Sequence, residues 1–161
     1  MNIKKHHLAA LTLVISVAIS LPISANTGFK LGDHIEITQD NVIPEAELPS
    51  AIKKYIKKHF SDYKVIKVEK EKTLSGHKYE VKLDKGVELE FNEKNEITEI
   101  DGTMKLPDSA IPKSILKYVE TNYPENVITD WELDKNKQEV KLDSGIELEF
   151  SLKGEFVRID Q

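Results

Sequence analysis

A stretch of 21 residues, Val81 to Asp101 (VKLDKGVELEFNEKNEITEID), is written a second time at Val140 to Asp160 (VKLDSGIELEFSLKGEFVRID). Aligned without a gap at an offset of 59, the two agree at 13 positions, and differences such as Val87 against Ile146 are conservative. Self-similarity on this scale means that one supersecondary unit is used twice, so whatever one copy folds into, the other must fold into as well.

Each copy specifies a hairpin. Apolar and charged residues alternate over Val81 to Leu83 and Val87 to Phe91, the period of a strand with one buried face. The connector Asp84-Lys85-Gly86, or Asp143-Ser144-Gly145, offers a glycine for the positive φ of a tight turn. Val81, Leu83, Val87, Leu89 and Phe91 therefore share one face, with Lys82, Glu88 and Glu90 on the other. In the second copy Val140, Leu142, Ile146, Leu148 and Phe150 point inward, with Lys141, Glu147 and Glu149 outward. A turn then leads to a last strand, Ile97 to Ile100 or Phe156 to Ile159.

The repeat extends upstream. After Leu48-Pro49, the residues Ile52, Tyr55, Ile56 and Phe60 fall on one stripe of a 3.6-residue helix, opposite Lys53, Lys54, Lys57 and Lys58. Ile111-Pro112 and the stripe Ile115, Tyr118, Val119 and Tyr123 match them at an offset of 63. Proline suits a first-turn position, where its missing N–H costs nothing. One more strand lies between helix and hairpin, Lys64 to Lys70 or Val127 to Leu133, ending in tips at Ser75-Gly76 and Asp134 to Lys137. Its facing is ambiguous, because Val65, Ile66 and Val68 do not alternate. Trp131, the single tryptophan, sits in this strand of the second copy, either as a cap on the core or as an exposed anchor for a partner. The expected fold is α+β, a tandem duplication of a helix plus a four-stranded antiparallel unit, with the helices on one face of a curved sheet. Its open face carries Lys78, Glu80, Lys82, Glu88 and Glu90, then Lys137, Glu139, Lys141, Glu147 and Glu149. One-sided antiparallel sheets alternate in this way simply to keep one face wet, and the same face is a candidate binding surface.

The N-terminus reads as export machinery. Lys4 and Lys5, the apolar run Leu8 to Leu21, and Ile23-Ser24-Ala25 form the three parts of a secretory signal. The run is shorter than the ~20 residues that span a bilayer, so cleavage after Ala25 with no membrane insertion is expected, and a periplasmic or secreted location. The chain divides into a signal peptide 1–25, an N-terminal segment 26–41, a first α-β repeat 42–104 and a second 105–161. Without the signal, 21 Lys+Arg face 28 Asp+Glu, and no basic stripe is present to displace counterions from phosphates, which argues against nucleic acid. The absence of cysteine excludes a thiol nucleophile and a disulfide framework. His34, His59 and His77 share no metal-ligand spacing, and neither HExxH, a phosphate loop nor GxSxG occurs. No catalytic, cofactor or metal site is expected. Four glutamates from two hairpins could attract a cation, though the interleaved Lys78, Lys82 and Lys141 partly neutralise them.

The helix start (Leu48, Pro49, Ile52, Tyr55, Ile56, Phe60), its second copy from Ile111 to Tyr123, and the V.L..G.ELEF hairpins resemble the small exported PepSY-like proteins of the Bacteroides group, related in fold to beta-lactamase inhibitory protein. The resemblance covers Val42 to the end. It implies two α-β repeats whose sheets join into one curved surface, and a periplasmic binding or inhibitory role. No functional residue carries over from it, and the first copy has Asn95 where the second has the turn glycine Gly154. The expected function is a non-enzymatic module that presents its open sheet face to a protein partner such as a peptidase or another envelope enzyme. Lys82, Glu88, Glu90, Lys141, Glu147, Glu149 and Trp131 are its candidate contacts. The alternative is a small-ligand or cation carrier using the same face.

Overall fold

Pro49 and Pro112 act as N-caps one residue ahead of the helices rather than as first-turn residues. Their carbonyls accept from Lys53 N–H at 3.1 Å and Leu116 N–H at 3.0 Å, opening α1 (Ser50–His59) and α2 (Lys113–Asn122). Proline's fixed φ favours helix entry, and the position asks no N–H of it. The computed structural model describes residues 41–160, so the signal peptide and all of the N-terminal segment except Asn41 lie outside the described residues.

The strands are β1 (Val65–Lys72), β2 (His77–Leu83), β3 (Val87–Phe91) and β4 (Ile97–Gly102), then β5 (Ile128–Leu133), β6 (Lys137–Leu142), β7 (Glu147–Ser151) and β8 (Phe156–Asp160). They form one open antiparallel sheet in sequence order, β1 to β8, so that β4 pairs with β5 in the middle. The expected turn chemistry holds at the first hairpin, where Lys85 and Gly86 take φ of +60° and +73°.

Both helices cover one face. Ile52 and Ile56 from α1, Phe60 at its C-cap, and Ile115 and Val119 from α2 are buried in one core with Val81, Leu83, Val87, Leu89 and Phe91 and with Val140, Leu142, Leu148 and Phe150. Matching aromatics make matching contacts: Tyr55 meets Phe91 edge-on at 5.6 Å, and Tyr118 meets Phe150 edge-on at 5.4 Å. The ambiguous facing of β1 has a local cause. A register shift between Val65 and Lys67 leaves Ile66 exposed and Val68 buried, and β5 shifts at the corresponding place, between Ile128 and Asp130. A bulge inserts a residue and so breaks the period of two. Among the described residues, no helix is long and apolar enough to cross a membrane.

Candidate functional site

Strand pairing turns the period-two pattern into rows of charge across the face opposite the helices. One row runs through directly paired residues from Glu69 to Glu80, Glu90, Glu99, Glu132, Glu139, Glu149 and finally Arg158, one position per strand. The next row reads Lys67, Lys82, Glu88, Asp101, Asp130, Lys141, Glu147 and Asp160. Directly opposed side chains have Cβ atoms about 5 Å apart, so seven successive glutamates are destabilising unless cations intervene.

Cations intervene at the flanks. Lys82 holds Glu88 at 2.9 Å and Glu80 at 3.1 Å, and Lys67 holds Glu69 at 2.9 Å. Its bonds to Glu88 and Glu80 push the Lys82 ammonium well above its ordinary pKa. On the other side Lys137 holds Glu139 at 2.8 Å and Glu149 at 3.6 Å, and Arg158 holds Glu149 at 2.7 Å. At the centre, where β4 meets β5, Glu99 opposes Glu132 and Asp101 opposes Asp130. Among the described residues, no lysine or arginine pairs with these four within 4 Å. The electrostatic consequence is large. Burial first, then the charges of Glu90, Glu132, Asp101 and Asp130, raise the Glu99 carboxyl from its ordinary 4.5 to about 7. Burial also raises Asp130, against a hydrogen bond of 2.5 Å from Thr129 and the charge of Lys141, and raises Glu132 with help from Glu139 and Asp134 and against the charge of Lys137.

Of the residues expected from sequence, Lys82, Glu88, Glu90, Lys141, Glu147 and Glu149 all lie in these two rows, flanking the centre. Trp131 does not join them. It pairs with Ile100 and Val140 on the helix side, is 5% exposed, and donates Nε1–H to Gln138 Oε1 at 3.1 Å. Alternation along β5 sends Asp130 and Glu132 to the open face and Trp131 to the other. Glu99, Asp101, Asp130 and Glu132 were absent from the sequence expectation. Counting alternation outward from Ile100 and Trp131 would have placed them, but the β5 bulge obscured the period.

Two further clusters bear on chemistry. The carboxylates of Glu139, Glu149 and Asp160 offer oxygens within 4.8 Å of one another, a donor set suited to a hard cation such as calcium, although Lys137 and Arg158 already engage two of them. His59 Nδ1 lies 3.1 Å from Ser109 Oγ, and its ring packs on Tyr55 at 4.6 Å. Among the described residues, no carboxylate orients that imidazole, so the pair lacks the third member that nucleophilic catalysis uses.

The chain matches the family model described as "putative beta-lactamase-inhibitor-like, PepSY-like" over residues 30–99 and again over 77–158. Among solved structures it is similar, at 37% identity and a TM-score of 0.70, to a protein of Bacteroides thetaiotaomicron described as a "putative calcium-regulated periplasmic protein". That match covers 75% of this chain and 96% of the other. A Bacteroides vulgatus protein described as periplasmic is 34% identical with a TM-score of 0.70, covering 76% and 98% of the two chains. A second from that organism, described as periplasmic and of unknown function, is 36% identical with a TM-score of 0.68, covering 74% and 98%. A sugar fermentation stimulation protein homolog of Caldanaerobacter subterraneus is 36% identical over 74 residues, 45% of this chain, and the chain spans 31% of that protein's length. With both regions of the family model matched and solved relatives covered almost end to end, the chain belongs to the PepSY-like family.

Proposed function

We propose that this protein is an exported, non-enzymatic binding module, cleaved after Ala25, whose open sheet face holds a basic surface of a protein partner in the periplasm, such as a peptidase or other envelope enzyme. We infer also that its two helix-plus-four-strand halves, 42–104 and 105–161, descend from one duplicated unit. The observation that carries the binding reading is the centre of the face, where among the described residues no lysine or arginine lies within 4 Å of the four carboxylates. Glu99, Asp101, Asp130 and Glu132 pair like with like across β4 and β5. The fold gains nothing from this arrangement, and a lysine or arginine from outside would relieve it. Lys82, Glu88, Glu90, Lys141, Glu147 and Glu149 then form the rim, which would favour on-rate and register more than affinity. The test is capture from periplasmic extract with the native chain and with a variant carrying Glu99→Lys and Glu132→Lys. A partner retained by the first, lost from the second and released by salt supports the reading; identical captured sets overturn it.

A second reading, a cation-binding carrier, is favoured by the Glu139, Glu149 and Asp160 carboxylates and by the solved relative described as calcium-regulated. Calcium should then raise the melting temperature of the native chain and leave that of an Asp160→Asn variant unmoved. Equal behaviour of the two sinks it.

A further inference from the structure

The two outer edges of the sheet are treated differently. Along β1, the chain at Asn41 to Ile43 lies against the free edge: Val42 bridges Glu69, Ile43 N–H donates to Val68 at 3.0 Å, and Asn41 O accepts from Lys70 at 2.7 Å. Among the described residues, nothing pairs with the outer edge of β8. An uncovered edge presents a row of backbone donors and acceptors to any other strand.

The internal repeat supplies a control. At the offset of 59, Ile159 corresponds to Ile100 on β4. Ile100 is fully buried because β5 follows and sets Trp131 against it, whereas Ile159 is 46% exposed. Phe156 and Val157 beside it are also exposed. Both strands carry a bulge at the matching place, and on β4 the residues beyond it, Glu99 to Asp101, are those that accept β5. Their counterparts on β8 are Arg158, Ile159 and Asp160.

We propose that two copies of this chain associate through β8, paired antiparallel about a two-fold axis at Ile159. Such an axis, normal to the sheet, sets Ile159 against Ile159 of the second copy on the apolar side. On the open face it sets Arg158 of each copy opposite Asp160 of the other. The two charge pairs select this register. Centring the axis on Arg158 instead would oppose two arginines, and moving the register by one residue would turn side chains to the wrong face. Arg158 of the second copy would also bring a cation to Asp160, which lies with Glu139 and Glu149 and lacks an ion pair among the described residues. The product is one continuous sheet with both acidic faces on the same side, so a partner with repeated basic sites could engage the two together. Three paired residues per copy form a small interface, so the association is weak and depends on concentration.

The experiment is sedimentation equilibrium on the full chain, with its N-terminus as the exporting cell leaves it, at about 200 μM and about 0.15 M salt, where repulsion between like-charged copies is screened. The native chain should show a weight-average mass that rises with concentration from its denatured mass toward twice that value. Arg158→Asp and Asp160→Arg should each return it to the denatured mass, and the two combined should restore the rise. Circular dichroism checks that each variant is folded. A native chain that stays monomeric, a mass indifferent to both single reversals, or a folded double variant that stays monomeric overturns the proposal.

Discussion

Replacing Glu99 by glutamine should stabilise the protein at pH 8 and leave it nearly unchanged at pH 4.5. The folded state raises this carboxyl from 4.5 to about 7, so between those values the folded protein holds a proton that the unfolded chain has released. Below pH 4.5 both states are protonated and the group contributes nothing. As pH rises toward 7 the folded state loses ground, and above 7 the penalty is constant. At about 1.4 kcal/mol per tenfold change, the ceiling is ~3.4 kcal/mol, and discounting for partial solvent access leaves about 2 kcal/mol. Glutamine has nearly the same shape and removes the titration. Urea unfolding followed by the fluorescence of buried Trp131, at pH 4.5, 6 and 8, measures the difference. The expected gain is ~2 kcal/mol at pH 8 and close to zero at pH 4.5. Raising the salt to 1 M should shrink the gain by the share due to Glu90, Glu132, Asp101 and Asp130 while the burial share persists. A gain equal at both pH values, or a loss at pH 8, would refute the reading that burial and like charge hold the Glu99 carboxyl up.

Four other substitutions test the packing and turns of the fold. A methyl group at Gly154, which has φ +78°, would collide with the Ser114 hydroxyl and lie 3.1 Å from its Cβ, so Gly154→Ala should cost about 2–4 kcal/mol in urea unfolding. By contrast, Asn95→Gly at the matching turn, φ +63°, should stay within about 0.5 kcal/mol of the native chain. Trp131→Phe leaves buried Gln138 Oε1 without its donor and opens space in the core, which should cost about 2–4 kcal/mol in urea unfolding followed by circular dichroism, since the variant carries no tryptophan. Among the described residues the buried Tyr55 hydroxyl has no partner, so Tyr55→Phe should raise the melting temperature, by about 0.5–1 kcal/mol in stability.

Much of this molecule is local chemistry and could be read from the residues in order. Period-two alternation assigned Val81, Leu83, Val87, Leu89 and Phe91 to the core because successive strand side chains must point to opposite faces, and all five are buried. The stripe from Ile52 to Phe60 marked the covering face of α1 for the same kind of reason. The glutamates of β3 and β7 were legible as outward-facing. The facing of β1 and β5 was not, since a bulge breaks the period of two and the broken pattern does not say which side of the break faces the core. Nor could the residues alone tell whether Trp131 faced the core or the solvent.

Tertiary structure alone decided which charges meet. Lateral order in the sheet placed β4 beside β5, and this junction gathered Glu99, Asp101, Asp130 and Glu132 from positions about thirty residues apart. It also left Ile100 covered and Ile159 half open, although the repeat writes the same residue at both places. Burial and proton affinity depend on what lies across the strand, and a sequence states only what lies along it.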